Sequence, residues 1–393
     1  MKRMVEWKKL GDICEIIRGN GVQKTDFVES GVGCIHYGQI YTHYGSFTYT
    51  TNKYVSKEVF DKARKASKGD VIMTDTSENV EDICKSVAYL GEEDIAVSNH
   101  ALILKHKQNP KFLTYSTLTN SFSNQKRKFV VGAKVSGIKP ENLAQIKIYL
   151  PSLSEQNRIV GILDTFTSSI DNLKQQIAQR RKQYEYYRDQ LLDLEGKEGV
   201  EMKTLGEICS KLTDGSHFSP RSVEHGYYMP SVKDMTNKGF DYSNCKQISK
   251  EDYESLIRTG CKPKIHDVLI AKDGSMLKYA FPVIKDEDIV ILSSIAILTP
   301  RTKVITSAYL SHYLKCGKVK EKTIREYSSK GGVPRIILKN FKKICVCIPP
   351  LSEQQRIVSI LDTFEASIQN LEAQLSQREK QYEYYRNKLV TFE

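Results

Sequence analysis

The sequence has none of the features that mark an exported or membrane-spanning protein. Its first residues, MKRMVEWKKL, lack the continuous apolar stretch of a secretory signal, and no apolar run approaches the ~20 residues that a membrane span requires. Nine cysteines occur among 393 residues, but no Cys-x-x-Cys pair is present, which argues against a zinc framework. We therefore expect a cytoplasmic protein with reduced, mostly buried thiols and no membrane contact.

Motifs that would identify an enzyme are also missing. There is no Gly-x-x-x-x-Gly-Lys-Ser/Thr phosphate loop, and Gly31-Val32-Gly33 is not followed by a third glycine at the spacing of a dinucleotide site. The Pro349-Pro350 pair leads into a helix and lacks the preceding Asn or Asp of a DNA amino-methyltransferase motif. The eight histidines are dispersed, so we predict no catalytic residue and no metal site. One acidic cluster is interpreted as a solvated or capping turn: Asp75, Glu78, Glu81 and Asp82.

An internal repeat defines how the chain is organised. The segment that begins at Leu153 reads LSEQNRIVGILDTFTSSIDNLKQQIAQRRKQYEYYR, and the segment 198 residues later, at Leu351, reads LSEQQRIVSILDTFEASIQNLEAQLSQREKQYEYYR. These segments are identical at 26 of 36 positions. Weaker echoes precede both copies, such as Leu10-Gly11-Asp12-Ile13-Cys14 and Leu205-Gly206-Glu207-Ile208-Cys209. The order along the chain is therefore globule, helix, globule, helix.

Both copies of the repeat have the pattern of a long coiled-coil helix. Apolar and aromatic residues recur at alternating spacings of four and three over residues 159–194 and 357–392. Arg180 and Arg378 occupy equivalent positions in this seam. They either fix the register of pairing as buried polar residues or extend their guanidinium groups to water.

The globules that precede the helices have the pattern of mixed, β-rich domains. Short β-branched and aromatic runs, such as Val71-Ile72-Met73 and Val268-Leu269-Ile270, are separated by Gly, Asn, Asp and Ser. We therefore predict an α+β fold of two β-rich mixed α/β domains separated by two long coiled-coil helices. The predicted boundaries are 1–150 for the first domain, 151–195 for the first helix, 196–206 for a linker, 207–349 for the second domain and 350–393 for the second helix.

Positive charge is concentrated in the last third of both globules. The chain has a net charge of +12, yet residues 101–150 contain nine Lys or Arg against one acid, and residues 301–350 contain twelve against two. The helices carry no such excess. A basic segment repeated in two domains is typical of a surface that binds a polyanion. We therefore expect the globules to bind nucleic acid and the helices to bind protein.

The candidate DNA-binding residues are cations and polar or aromatic side chains of the globules. Arg and Lys can contact phosphate or guanine, whereas Gln and Asn can read adenine, and the glycine-rich segments 132–137 and 330–335 would let the backbone approach phosphate. The aromatic-rich segment around Tyr37 has an alternative interpretation as a sheet face. The candidates are Lys24, Tyr37, Gln39, Lys126, Arg127, Lys128, Lys134 and Ser136 in the first globule, and His217, Lys233, Lys272, Ser275, Lys278, Lys320, Lys322, Arg325, Lys330 and Arg335 in the second.

Polar residues that are identical in both helix copies form a second candidate site. Seam packing does not explain a shared polar surface, so we expect these residues to bind two copies of one protein partner. They are Gln156, Arg158, Lys182, Glu185, Tyr186 and Arg188 in the first helix, and Gln354, Arg356, Lys380, Glu383, Tyr384 and Arg386 in the second.

Taken with these motifs, the whole chain resembles the DNA-specificity subunit of Type I restriction-modification enzymes. The helices carry the resemblance through LSEQNRIV, LSEQQRIV and YEYYR, and the globules through looser phrases such as GDVIMTDTSE at 69–78 and TDGSHFSP at 213–220. The resemblance implies that each globule is a target recognition domain that reads one half of a split double-stranded DNA site. It also implies that the helices pair antiparallel in a pseudo-twofold circular repeat and dock two modification subunits.

The same resemblance assigns the chemistry to partner chains. S-adenosylmethionine for methylation, and ATP and magnesium for cleavage by restriction subunits, would be bound by those partners, leaving this chain as a non-catalytic recognition subunit. The first globule departs from the family phrase, with Arg18-Gly19-Asn20-Gly21 where the second has Thr213-Asp214-Gly215-Ser216-His217. Three other functions stay open: a methyltransferase with an unrecognised active site, a truncated or decoy specificity protein, and a coiled-coil adaptor whose basic globules bind RNA.

Overall fold

The chain forms two compact units, seen in a computed structural model that describes residues 6–132, 136–237, 239–329 and 335–391. Unit 1 comprises residues 1–174 and 374–393, and unit 2 comprises residues 175–373. Each unit contains one globule and segments of both long helices, α7 (Leu153–Leu191) and α13 (Leu351–Thr391).

The shorter elements are distributed over both globules. The first globule has strands β1 (Trp7–Lys9), β2 (Cys14–Arg18), β3 (Phe27–Val28), β4 (Val32–Ile35), β5 (Phe47–Thr48), β6 (Lys53–Val55), β7 (Lys65–Ala66), β8 (Val71–Thr74), β9 (Thr76–Ser77), β10 (Ser86–Tyr89), β11 (Ile95–Val97), β12 (Ala101–His106), β13 (Ser136–Gly137) and β14 (Lys147–Tyr149). Its helices are α1 (Leu10–Ile13), α2 (Tyr37–Thr42), α3 (Lys57–Lys62), α4 (Pro110–Thr117), α5 (Asn120–Lys126) and α6 (Pro140–Leu143). The second globule has β15 (Glu201–Thr204), β16 (Cys209–Asp214), β17 (Tyr227–Tyr228), β18 (Gln247–Ile248), β19 (Val268–Ala271), β20 (Ala280–Pro282), β21 (Ile295–Pro300) and β22 (Cys345–Ile348), with α8 (Leu205–Ile208), α9 (Lys250–Arg258), α10 (Ser307–Lys315), α11 (Gly317–Tyr327) and α12 (Leu338–Phe341).

Both globules are built around a sheet whose central strand is buried on both faces. In unit 1 the order is β2-β12-β8-β10-β5, beside a second sheet β3-β6-β4-β11-β7, and in unit 2 it is β16-β21-β19-β20. Along β12, Leu102 and Leu104 face one apolar cluster while Ala101 and Ile103 face another. A continuous apolar run is what a strand covered on both faces requires. The predicted mixed α/β character of the globules is confirmed.

The predicted linker over residues 196–206 is too long. Residues 201–204 form β15, which pairs antiparallel with β22, and α8 follows at once. The equivalent strands of unit 1, β1 and β14, pair in the same way. The second globule therefore begins before residue 207, because its first strand closes against the strand that leads into α13.

The two long helices are confirmed, but the first ends earlier than predicted. It stops at Leu191, and Leu192 and Leu194 pack into the apolar core of unit 2 rather than continuing a helical seam. Gly196, at a φ of 75°, follows this turn. Burial of two leucines in the globule outweighs one more helical turn, since each buried leucine contributes about 2 kcal/mol.

Within each unit, residues near the start of one long helix contact residues near the end of the other. In unit 1 the rings of Phe166 and Tyr385 stack with centroids 5.4 Å apart, and the Arg378 guanidinium lies 5.7 Å from the Phe166 ring. In unit 2 Tyr187 stacks on Phe364 at 5.4 Å, with Arg180 at 5.9 Å from that ring. Both seam arginines therefore lie over aromatic faces. A continuous coiled coil along both helices stays a prediction.

Two further features concern the cysteines and the lengths of the helices. All nine cysteines are free thiols, and only Cys345 is exposed. Across residues 6–132, 136–237, 239–329 and 335–391, no helix combines the length and the apolar character needed to cross a membrane.

Candidate nucleic-acid interface

In unit 1 a buried carboxylate lies where the central strands of the sheet end. Asp75 directly follows β8 and its side chain is 1% exposed. Its Oδ2 lies 2.6 Å from Nη2 of Arg18, the last residue of β2, and its Oδ1 lies 3.7 Å from Nδ1 of His100. Strand pairing explains the meeting: Arg18 is opposite Leu102, and Thr74 is opposite Ala101 on the other side of β12.

Unit 2 has a charged cluster at the same end of its sheet. Asp214 is the last residue of β16, and its Oδ2 lies 3.4 Å from Nζ of Lys272, which directly follows β19. The Lys272 ammonium also lies 3.3 Å from the Asp273 carboxylate, and the exposed His217 places Nε2 3.3 Å from Asp214. Both clusters thus combine a carboxylate, a cation and a histidine at a solvent-facing strand end.

The two clusters occupy equivalent positions with reversed charges. In unit 2, Asp214 lies opposite Ala296 of β21, just as Arg18 lies opposite Leu102 of β12 in unit 1. On the other side of the same strands, Ala271 lies opposite Ile295 of β21, just as Thr74 lies opposite Ala101 of β12. The inner residues are also held alike, because Asp75 O accepts from Ile138 N at 2.9 Å and Lys272 O accepts from Ile336 N at 3.0 Å. Arg18 therefore corresponds to Asp214, and Asp75 corresponds to Lys272.

The basic segments reach these strand ends. In unit 1, β13 pairs antiparallel with β9, the strand that begins immediately after Asp75. In unit 2, Arg335 forms a β-bridge with Asp273, next to Lys272. One part of each basic segment, β13 in unit 1 and Arg335 in unit 2, therefore adjoins the charged cluster.

Most of the predicted DNA-binding residues are accessible. Arg127 is exposed but its guanidinium pairs with Glu81 at 2.7 Å. Lys134 and Lys330 lie outside the described residues. The exposed members are Lys24, Lys128, His217, Lys233, Ser275, Lys278, Lys322, Arg325 and Arg335, and the half-buried members are Tyr37 and Lys320.

Four predicted DNA-binding residues are buried, which corrects their assignment as direct DNA contacts. Gln39 accepts from His36 N at 2.8 Å and donates to Asn52 Oδ1. Lys126 donates from Nζ to the carbonyl oxygens of Glu81 and Ile83 at 2.8 and 2.9 Å, and burial lowers the pKa of Lys126. Ser136 and Lys272 are likewise buried, at 6% exposure each.

The charged residues at the centre of the unit 1 cluster are not among those predicted from the sequence. Asp75, interpreted as part of a solvated turn, is buried beside Arg18. Arg18 and Asp75 are 57 residues apart, and only the pairing of β2 and β8 with β12 brings them together. The sequence contains one sign of this site, because Arg18 stands in the first globule where the second has Asp214. That sign can be interpreted only when the strand register is known.

On the long helices, the predicted protein-binding residues divide into exposed and buried groups. Gln156 and Gln354 are fully buried, which corrects their assignment to a surface. Arg188 and Arg386 are half-buried because they lie over the rings of Tyr184 and Tyr382. Arg158 and Arg356 are exposed and pair with Glu155 and Glu353 on their own helices. The remaining exposed residues are Lys182, Glu185, Tyr186, Lys380, Glu383 and Tyr384.

Unit 2 also contains an ion-paired network between α10 and the long helices. His312 Nε2 lies 3.0 Å from Asp362, and Tyr184 donates to Glu365 at 2.8 Å. Within the described part of the chain, His312, Asp362 and Glu365 are the group whose ligand atoms lie close enough, within 4.8 Å, to hold a metal ion. The Lys315 ammonium is 3.2 Å from Glu365. The network is therefore already charge-compensated by protein groups, and it ties the second globule to its helices.

Comparison with known proteins identifies the family to which the chain belongs. The family model described as "Type I restriction modification DNA specificity domain" matches residues 4–180 and 197–379. The chain belongs to this family, and the family predicted from the repeat and the helix motifs is confirmed.

Individual relatives agree with this assignment. The chain is 30% identical over 314 residues to a Haemophilus influenzae protein named as a type I restriction enzyme specificity subunit, covering 75% of this chain and 76% of that protein. It is 33% identical over 273 residues to the EcoR124I/EcoR124II specificity subunit of Escherichia coli, covering 64% of each. The solved S subunit of a type I restriction-modification system from M. genitalium has a TM-score of 0.55 at 15% identity, covering 99% of this chain and 97% of that one. This last likeness is one of fold.

Proposed function

We propose that this chain recognises a split double-stranded DNA sequence for a type I restriction-modification complex, with each globule reading one half. The observation that carries the proposal is the repeated arrangement at the strand ends of both units. There a charged cluster of carboxylate, cation and histidine adjoins a basic segment. Basic segments supply affinity through phosphates, and side chains that reach base edges supply specificity.

The long helices provide the surface for protein partners in this proposal. Tyr186 and Tyr384 are 62% and 57% exposed, at equivalent places in the two helix copies. Exposed tyrosines flanked by charged residues are typical of protein interfaces. Because the surface occurs twice, it docks two modification subunits, and restriction subunits join through the assembled complex.

The chain itself is the recognition component and contributes no catalytic group. S-adenosylmethionine, ATP and magnesium belong to the modification and restriction subunits in this proposal. The isolated chain is therefore expected to bind DNA without methylating or cutting it. Methyl transfer should appear when modification subunits are added.

Methylome sequencing of a strain with and without this chain tests the proposal directly. A split sequence methylated only when the chain is present supports it. Robust methyl transfer by the purified chain alone, with stoichiometric binding of S-adenosylmethionine, would identify a methyltransferase instead. Preferential capture of RNA over duplex DNA would identify the adaptor.

The helix surface is tested separately. Tyr186→Ser in α7 and Tyr384→Ser in α13 should each lower the number of captured modification subunits from two to one, and the double variant should capture none. The DNA affinity of the globules should be unchanged, since both tyrosines lie on the long helices and not in the globules. Two captured subunits in the double variant would place the docking surface elsewhere.

A further inference from the structure

We propose that Arg18 reads a guanine in the half-site bound by unit 1, and that Asp75 is the residue that positions it. This inference rests on the proposed DNA-recognition function and names the base chemistry of one site. Neither residue is among the candidate DNA contacts that the sequence suggested.

The geometry leaves one side of the Arg18 guanidinium anchored and the other side open. Nη2 lies 2.6 Å from Oδ2 of Asp75, whose side chain is 1% exposed, whereas the Arg18 side chain is 57% exposed. A guanidinium carries five N–H donors in a planar fork, so one bond to Asp75 leaves donors for a ligand. The acceptors that match this fork in the major groove are O6 and N7 of guanine.

The carboxylate that holds Arg18 has hydrogen-bonding capacity left over. Oδ1 of Asp75 is buried and has no hydrogen-bond donor within residues 6–132, 136–237, 239–329 and 335–391. His100 lies nearest, with Nδ1 at 3.7 Å, and its backbone φ of 64° is in the left-handed region. Buried acceptors without donors are uncommon in folded proteins, and non-glycine residues at positive φ concentrate at functional sites. Both features point to a site whose hydrogen bonds are completed when a ligand binds.

The equivalent position in unit 2 carries the opposite charge. Asp214 stands where unit 1 has Arg18, and Lys272 stands where unit 1 has Asp75. A carboxylate accepts hydrogen bonds and pairs with the amino group of cytosine, but it cannot donate to guanine. The two globules therefore require different bases at equivalent positions of their half-sites.

The test uses the full chain assembled with its modification subunits and a pool of randomised duplex DNA. Retained DNA is sequenced for the wild-type chain and for Arg18→Ala. The variant should lose a guanine preference at one position of one half-site, by roughly 5-fold to 150-fold, the range that a bidentate arginine contact provides. The other half-site and the salt dependence of binding should not change.

A phosphate contact by Arg18 would give a different result. Affinity would then fall equally for all sequences, and the slope of log K against log salt would drop by about 0.9. That outcome would overturn the proposal, as would unchanged base preferences in Arg18→Ala. If the wild-type chain enriches no sequence at all, the proposed recognition function fails, and this is distinguishable from failure of the Arg18 assignment.

Asp75 is tested as a positioning residue by Asp75→Asn. A purely structural role would lower the melting temperature and weaken binding to every sequence alike. A positioning role reduces the guanine preference at the same position as Arg18→Ala while other positions keep theirs. His100→Ala provides the matched test of the neighbouring imidazole, with a smaller loss expected at that position.

Reversing the pair makes the proposal testable even where single variants fold poorly. Arg18→Asp alone places two carboxylates together and should lower the melting temperature. Combined with Asp75→Lys it reproduces the charge order of Asp214 and Lys272, so folding should recover. The double variant should bind split sites that lack the guanine, and a double variant that folds but still requires guanine refutes the assignment.

Discussion

One buried glutamine side chain at the start of each long helix holds that helix to its globule. Oε1 of Gln354 accepts from Thr306 N at 2.9 Å, and Nε2 donates to the carbonyl oxygens of Val304 and Pro349 at 2.9 Å each. Gln156 in unit 1 likewise accepts from Asn109 N and donates to Pro151 O. The glutamine shared by the two LSEQ motifs therefore holds backbone groups of the loop before α4 or α10.

Replacing this amide should cost stability. Gln354→Ala removes partners from one backbone N–H and two carbonyl groups, so we expect the free energy of unfolding to fall by about 2–4 kcal/mol. Denaturant unfolding measures the change. The neighbouring Gln355 is exposed, and Gln355→Ala should change the free energy by less than about 0.5 kcal/mol. Equal effects of both substitutions would contradict the role assigned to Gln354.

A pH-dependent contribution is expected from Glu365. Burial works to raise the pKa of this carboxyl, but Lys315 and His312 beside it, with the Tyr184 hydroxyl, hold the pKa below its usual 4.5. A lowered folded-state pKa stabilises the protein above about pH 4.5, and the contribution is lost as the pH falls through the folded-state value. In Glu365→Gln the free energy of unfolding should drop by about 2 kcal/mol at pH 7.

The difference between wild type and Glu365→Gln should shrink steadily below about pH 4.5, as measured by denaturant unfolding across pH. Glu372→Gln is the matched control, since Glu372 forms an exposed pair with Arg181. Its effect should stay below about 1 kcal/mol. A difference that does not change with pH would show that the negative charge of Glu365 has no part in the network.

At the scale of elements, α11 is a basic helix that presents exposed cations. Lys322 and Arg325 are exposed on it, and Nη2 of Arg325 lies 4.0 Å from the Glu326 carboxylate. Lys318 pairs with Asp193 at 2.7 Å. In the first globule the corresponding basic stretch includes Lys126, whose ammonium is used by the fold. Positive charge that the sequence shows as one segment thus comprises cations that the fold uses and cations that are exposed.

Neutralising two exposed cations of α11 should flatten the salt dependence of DNA binding. Lys322→Gln with Arg325→Gln should lower the slope of log K against log salt by about 0.9 for each phosphate that the protein no longer neutralises. Binding measured at several salt concentrations gives the slope. Lys250→Gln, on the exposed face of α9, is the matched control and should leave it unchanged. Equal slopes in all proteins would mean that α11 faces away from DNA.

At the scale of the whole molecule, we expect the long helices to set the distance between the two proposed half-sites. Inserting one heptad in each helix, after Gln176 and after Gln374, keeps the apolar seam in phase. Seven residues at ~1.5 Å lengthen each helix by about 10 Å, which corresponds to about three base pairs. The preferred spacer between half-sites should therefore grow by up to about three base pairs, as measured by selection from randomised DNA.

Weaker binding should accompany the longer spacer, because the added base pairs also rotate the second half-site by about a third of a turn. The half-site sequences should stay the same. The control inserts the heptad in α7 alone, which leaves unmatched layers and should mainly lower the melting temperature. A doubly extended protein that assembles and still prefers the original spacer would refute this role of the helices.

The sequence by itself determined the repeat, the two long helices, the mixed α/β character of the globules and the family. These follow from local patterns: helical periodicity over 36 residues, short continuous apolar runs, and segment charge. Near-identity of the two helix copies made the plan visible without any knowledge of packing.

Only the tertiary structure decided which polar residues face outward. Gln156, Gln354 and Lys126 are residue types that usually lie on protein surfaces, but here they are buried. Each of them hydrogen-bonds to backbone groups of the globule. Arg18 and Asp75 become a site only because two strands far apart in sequence flank β12. A side chain's residue type sets which bonds it can form, whereas strand register and burial decide whether the partner is the fold, the solvent or a ligand.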